Sequence, residues 1–152
     1  MRAAFLQCNP RYLEVAHNLD MVEAHLEGAD ADLIVLPELF TSGYFFRSRE
    51  DLAAVAEPTP GGPTTERLED WARATGATLV AGVPEREGDV FYNSAVVVAP
   101  DGYVGTYRKV HLYYEEKTLF APGDRGLSVY ELTDRTGDIY RLGVMVCFDW
   151  YF

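Results

Sequence analysis

Asp32-Leu33-Ile34-Val35-Leu36-Pro37-Glu38 decides the fold class. Leu33 to Leu36 leave no polar face, so the segment reads as a short strand buried on both sides, as in an α/β sheet. Pro37 stops it, because proline donates no ladder hydrogen bond. Upstream, Arg2 to Cys8 reads as a first strand, mostly apolar and stopped by Asn9-Pro10. Between the two, Val15, Leu19, Val22 and Leu26 recur at helical spacing. That spacing predicts a helix over Leu13 to Glu27, closed by Gly28.

Downstream, residues 38 to 63 read as one long connection containing Thr41-Ser42-Gly43 and Pro58-Thr59-Pro60-Gly61-Gly62-Pro63. A second helix is expected from Thr65 to Ala74, with Thr64 or Thr65 at its N-cap and Gly76 beyond its end. Thr78 to Val83 reads as a strand. Val90 to Ala99 and Tyr103 to Tyr107 read as a hairpin about Pro100-Asp101-Gly102. Residues 109 to 126 read as irregular. Two last strands, Leu127 to Leu132 and Tyr140 to Val146, flank a turn at Thr133 to Asp138. The order β-α-β-α-β, then mostly β, points to one layered α/β domain over residues 1–152.

The 152 residues carry 24 Asp and Glu against 13 Lys and Arg, a formal net charge of −11. That balance argues against nucleic acid and against an anionic membrane surface. No apolar run approaches the roughly 18 residues of a membrane span, and the start is too short in apolar residues for a signal peptide. The expected compartment is the cytoplasm. Cys8 and Cys147 cannot build a disulfide framework. The phosphate-loop, dinucleotide and serine-elbow motifs are absent, and His17 and His25 are eight apart, which does not match a metal pair at i, i+4. No metal and no cofactor is expected.

Four residues could carry chemistry. Cys147 ends a buried-looking strand, where α/β proteins place active sites, although position alone favours a core cysteine. Cys8, with no charge beside it, is expected in the core. Glu38 closes a buried strand next to Leu39-Phe40, a setting that suits a general base. Lys109 and Lys117 are the only lysines beside eleven arginines. A compact ammonium at Lys109 could stabilise an oxyanion. His111 could pair with a cysteine as a base, as in a papain-like protease, or serve as a structural hydrogen-bonder.

Together these segments resemble the nitrilase superfamily of carbon–nitrogen hydrolases. Pro37-Glu38-Leu39-Phe40 resembles the family's glutamate segment, and Tyr107-Arg108-Lys109-Val110-His111-Leu112 its lysine segment. Gly143-Val144-Met145-Val146-Cys147-Phe148-Asp149-Trp150 resembles its nucleophile segment. Supporting matches are Tyr92-Asn93-Ser94-Ala95, the Asp101-Gly102 turn and Phe120-Ala121-Pro122-Gly123-Asp124. The resemblance implies a Glu38–Lys109–Cys147 triad. It implies a second glutamate at Glu116, in Glu116-Lys117-Thr118-Leu119-Phe120, with Glu115 adjacent and open by spacing. It implies an oxyanion site at Lys109 and the Phe148 backbone N–H, and no cofactor. The implied reaction is hydrolysis of a small amide or N-carbamoyl compound through a cysteine thioester. Tyr44, Tyr113 and Trp150 lie near the matched segments as candidate pocket residues.

The resemblance also implies the N-terminal part of a four-layer α-β-β-α sandwich, incomplete here because the sequence stops five residues after Cys147. A homo-oligomer, dimer or higher, is implied for a complete domain. The aromatic end, Trp150-Tyr151-Phe152, is expected to be covered by more chain or by a partner. The competing reading is an inactive remnant that acts only as a binding or assembly partner.

Overall fold

A computed structural model describes all 152 residues. Its main sheet has five strands, β1 (Ala3–Phe5), β2 (Leu33–Val35), β3 (Thr78–Glu87), β4 (Val90–Ala99) and β5 (Gly102–Arg108), in that spatial order. The first three run parallel and the last three form an antiparallel meander. Helices α1 (Val15–Leu26) and α3 (Pro63–Thr75) are the connections that parallel strands require. A separate hairpin follows, β6 (Val129–Thr133) with β7 (Ile139–Gly143).

The period-2 alternation of the long strands builds two cores. Leu79, Ala81, Val83, Val96 and Val98 face Val22, Leu26, Leu68 and Trp71 of the helices. Val80, Ala95, Val97 and Tyr107 face the other way, onto Val144, Val146 and the half-buried Tyr130 and Leu142. The order is thus helices, sheet, hairpin: three stacked layers of the α/β class expected from the sequence. A third cluster, around Leu39, Phe46, Leu52, Phe91, Leu112 and Phe120, closes the end of the sheet where the loops gather.

Several boundaries differ from the sequence reading. The first strand covers only Ala3–Phe5, and Cys8 lies beyond it, half-buried and outside the core. The long connection contains a short helix, α2 (Arg49–Val55), capped by Ser48 Oγ on the Asp51 N–H and anchored by fully buried Leu52. Helix α3 starts at Pro63, with Gly62 at the N-cap; Thr64 and Thr65 lie in its first turn. The carboxylate of Glu57, rather than a threonine, accepts the Thr64 N–H.

Strand β3 runs four residues past Val83, through Pro84 to Glu87. Pro84 is tolerated because its nitrogen faces the side where β2 has already ended; its carbonyl accepts the Glu57 N–H there. Residues 109 to 126 contain one helical turn, α4 (Glu116–Leu119). Strand β7 stops at Gly143, and Val144 and Val146 continue into the core without ladder bonds.

Candidate functional site

Three loops bring charge together at the end of the sheet. Glu38 follows β2, Lys109 follows β5, and Glu116 opens α4. Lys109 Nζ donates to Glu38 Oε1 at 2.7 Å and lies 2.9 Å from each oxygen of Glu116. Lys109 is completely buried, Glu116 nearly so, and Glu38 keeps part of its side chain open. Burial alone lowers the pKa of the lysine. The bonds to Glu38 and Glu116 outweigh that effect and hold its pKa above the ordinary value, so the group is an ammonium. Of the adjacent glutamates it is Glu116 that turns inward, with Oε2 also accepting the Tyr113 N–H at 2.6 Å; Glu115 is exposed.

Two glycines let these loops close. A Cβ on Gly82 would lie 2.6 Å from the Cα of Glu38, and the Gly82 and Phe40 N–H groups tie β3 to this segment. A Cβ on Gly123 would lie 2.0 Å from the Arg108 carbonyl oxygen, while the Gly123 N–H donates to the Lys109 carbonyl at 2.9 Å. Both glycines serve close backbone approach. Arg108, one residue before Lys109, points away from the cluster. It is buried under the ring of Tyr92 and paired with buried Glu85 at 2.6 Å. Alternation along the strand end thus separates the structural cation from the site cation.

One site residue was quoted in the sequence only as part of a supporting match. Asn93 is fully buried, and its Nδ2 donates to Glu38 Oε1 at 2.7 Å and Glu116 Oε1 at 2.9 Å. Its Oδ1 has no partner. The amide keeps this orientation because the reverse one would aim its oxygen at two carboxylates. A buried Asn facing the same pleat as a charged cluster could have been sought from the register Pro84↔Asn93 in the sheet, but not from composition.

Cys147 begins a 3-10 turn, Cys147–Tyr151, directly after the Val144–Val146 stretch. It is exposed, not a core residue, and sits at φ +44°, a left-handed conformation that costs a non-glycine residue about 1–3 kcal/mol. Burial of the sulfur by its local surroundings raises the thiol pKa, as does the negative charge of Glu38. Lys109 and a bond from the Phe148 N–H oppose both. The thiol is therefore protonated at neutral pH, with a carboxylate close enough to be felt. Tyr44 stands beside it: burial, then the charges of Glu116 and Glu38, raise its phenol well above the ordinary range.

An aromatic cleft opens here, walled by Tyr44, Phe46, Tyr113, Tyr114 and Phe120, with Glu116 on its lining. Trp150 is not on that wall. It is 73% exposed, and its ring meets Tyr151. His111 Nδ1 contacts Asp149 Oδ1 at 2.9 Å and its ring stacks on Phe152 at 4.0 Å, the structural role rather than that of a base. No three His, Cys, Asp or Glu side chains converge as a metal-holding group. No helix is long and apolar enough to cross a membrane.

The family model for carbon–nitrogen hydrolases matches residues 2–152. The chain belongs to the carbon–nitrogen hydrolase family. It is 47% identical to a nitrilase of Pyrococcus abyssi, over 100% of this chain and 57% of the relative. It is 34% identical to an (R)-stereoselective amidase of a Pseudomonas species, over 98% of this chain and 52% of that one. A crystal structure of a CN-hydrolase superfamily protein from Xanthomonas campestris, with an arsenic adduct in its active site, superposes with a TM-score of 0.84 at 29% identity. That match covers 100% of this chain and 55% of the other. The chain thus spans about half the length of the carbon–nitrogen hydrolases it matches.

Proposed function

We propose that this chain carries the reacting residues for hydrolysis of a non-peptide C–N bond in a small amide or N-carbamoyl compound, through a thioester on Cys147. The observation that carries the reading is Lys109 Nζ held 2.7 Å from Glu38 and 2.9 Å from Glu116, beside an exposed cysteine on a strained turn. Membership of the carbon–nitrogen hydrolase family supports the same chemistry.

The steps follow from the charges. Cys147 rests as a thiol, so attack needs a base, and Glu38 is the open carboxylate of the cluster. Glu38 takes the thiol proton as sulfur bonds to the amide carbonyl carbon. The oxygen that gains charge is stabilised by the Lys109 ammonium and the Phe148 N–H, fixed donors that need no reorganisation. The C–N bond breaks as Glu38 returns the proton to the departing ammonia or amine. Glu38 then removes a proton from water, which attacks the thioester and releases a carboxylic acid and the free thiol. Glu116 also holds Lys109, with its oxygens 2.9 Å from Nζ. The aromatic cleft suits an uncharged substrate with an apolar arm, and the carboxylates disfavour an anionic one.

The test is ammonia release from a panel of short aliphatic amides and N-carbamoyl amines. Cys147→Ala is expected to abolish turnover while Cys8→Ser keeps it. Hydrolysis that survives Cys147→Ala would overturn the reading.

A further inference from the structure

Residues 144–152 carry Cys147, yet no backbone hydrogen bond ties them to the rest of the chain. Every hydrogen bond that does so runs through one side chain, Asp149. Its carboxylate is buried and accepts four donors. Oδ2 takes the Tyr107 hydroxyl at 2.7 Å and the Val146 N–H at 3.0 Å. Oδ1 takes the His111 N–H at 2.8 Å and contacts His111 Nδ1 at 2.9 Å. Tyr107 and His111 bracket Lys109 at two residues on either side, and Val146 immediately precedes Cys147. Burial opposes the charge on Asp149, but the bonds from His111, Val146 and Tyr107 outweigh it and hold the carboxyl below its usual range. It is ionised at neutral pH, with both oxygens committed.

We infer that Asp149 is a positioning residue that locks the Cys147 turn to the Lys109 strand end and so sets the thiol against Lys109 and Glu38. It touches no reacting atom. Packing of Val144 and Val146 holds the turn near the sheet, but apolar contacts are non-directional and do not fix a left-handed Cys147. A carboxylate with four directed bonds does. A misplacement of about 1 Å between reacting groups can cost on the order of a hundredfold in rate.

The inference rests on Cys147 being the reactive thiol, and the test separates the two. Iodoacetamide, itself a small amide, is used to alkylate the purified protein across pH 5–9, with site-resolved mass spectrometry of Cys147 and Cys8. The charged and titratable groups facing Cys147 are Glu38, Lys109, Glu116 and Tyr44. In the unaltered protein, Cys147 is expected to react at neutral pH by carboxylate assistance, well ahead of half-buried Cys8. If the two react alike, the function itself fails. Asp149→Asn is expected to lower the neutral-pH rate of Cys147 about tenfold or more. It should also leave only the alkaline rise of an unassisted thiol. Tyr107→Phe, which removes one of the four bonds and keeps the ring, is expected to fall between. A Cys147 that reacts fast in the unaltered protein and with the same pH profile in Tyr107→Phe overturns the inference, whether or not Asp149→Asn folds. A lowered melting temperature with an unchanged profile overturns it too, since that is what a purely structural aspartate would give.

Discussion

Asn93 and Lys109 share their acceptors. Asn93 Nδ2 and Lys109 Nζ each lie 2.7 Å from Glu38 Oε1, and each lies 2.9 Å from Glu116 Oε1. One oxygen of Glu38 is thereby fully engaged, and Oε2 has no partner within the chain. A base needs one oxygen held and one free. Asn93 provides the holding without adding charge. Its Oδ1, left without a partner, costs about 1–3 kcal/mol in a buried setting.

Asn93→Ala should therefore keep the fold and lose rate. Glu38 would retain Lys109 but lose its second anchor, and the free oxygen would no longer be fixed. We expect kcat for amide hydrolysis to fall about 10- to 100-fold with KM little changed, the pattern of an interaction that matters in the transition state. Steady-state kinetics on any amide that the unaltered protein turns over would check it. A rise in KM with kcat intact would mean that Asn93 contacts substrate instead.

Gly82→Ala tests the approach of β3 to the glutamate loop. A methyl group there meets the Glu38 Cα at 2.6 Å and the Pro37 carbonyl oxygen at 2.7 Å, both backbone atoms that cannot swing aside. The loop must move, and Glu38 moves with it. Overpacking of this kind costs about 1–3 kcal/mol. Urea unfolding should show that loss, and activity should fall further than the stability loss accounts for. Activity equal to that of the unaltered protein, per folded molecule, would show that Glu38 tolerates the displacement.

Arg108 makes the opposite prediction, a stability effect with no direct part in the chemistry. It lies under Tyr92 at 3.7 Å and binds Glu85 at 2.6 and 3.1 Å, with Ser94 Oγ also on Glu85. Burial opposes its charge, but the bonds to Glu85, Glu87 and Asp124 outweigh burial and raise its pKa. Arg108→Met leaves buried Glu85 with only the Ser94 hydroxyl and Arg125 at 3.5 Å, and should cost about 3 kcal/mol, the lower end of the usual loss when one partner of a buried pair is removed. The double change Arg108→Met with Glu85→Gln should recover a good part of that loss. Chemical denaturation of both variants would decide it, and a double variant no better than the single one would refute the pairing argument.

The parts of this fold legible in the sequence were those with a strong period. The apolar run at Leu33 to Leu36, the helical spacing from Val15 to Leu26 and the turn at Asp101-Gly102 all mark real elements. What escaped was decided by tertiary context. Helix α2 is too short for periodicity and exists because Leu52 has a core to enter. The polar end of β3 extends because it pairs with β4 from Pro84↔Asn93 to Glu87↔Val90, and Glu57 comes alongside its other edge. Cys8 fell outside its strand because β1 pairs only as far as Phe5. At the site, it was the resemblance of three segments to the nitrilase superfamily that implied Glu38, Lys109, Glu116 and Cys147; position alone favoured a core Cys147. The geometry drew in Asn93 and Asp149; the Asn93 contacts lie 23 and 55 residues away along the chain, and apart from the local Val146 N–H those of Asp149 lie 38 and 42 away.

The hairpin that covers the second face of the sheet should be acid-labile through Asp134. Its side chain is buried at the β6–β7 turn. Oδ1 accepts the Thr136 hydroxyl at 2.6 Å, the Thr136 N–H at 2.9 Å and the Asp138 N–H at 3.0 Å. The Thr136 hydroxyl bond, then the backbone donors, hold the carboxyl far below its usual range. A carboxyl depressed on folding stabilises the native state fully above its unfolded pKa of about 4, and that contribution drains away as pH falls below it. The melting temperature of the unaltered protein should thus drop from pH 4 toward pH 2. Asp134→Asn should melt lower than the unaltered protein at pH 7, because the amide is a poorer acceptor for three donors. The gap between the two should narrow as pH falls from 4 to 2, because the aspartate of the unfolded chain takes up its proton over that range while the folded one stays ionised. Melting curves recorded by circular dichroism at pH 7, 4, 3 and 2 would check this. A gap that stays constant across that range would mean the Asp134 charge does not hold the hairpin, and that Tyr140 on Thr78 and the apolar contacts of Leu142 carry it instead.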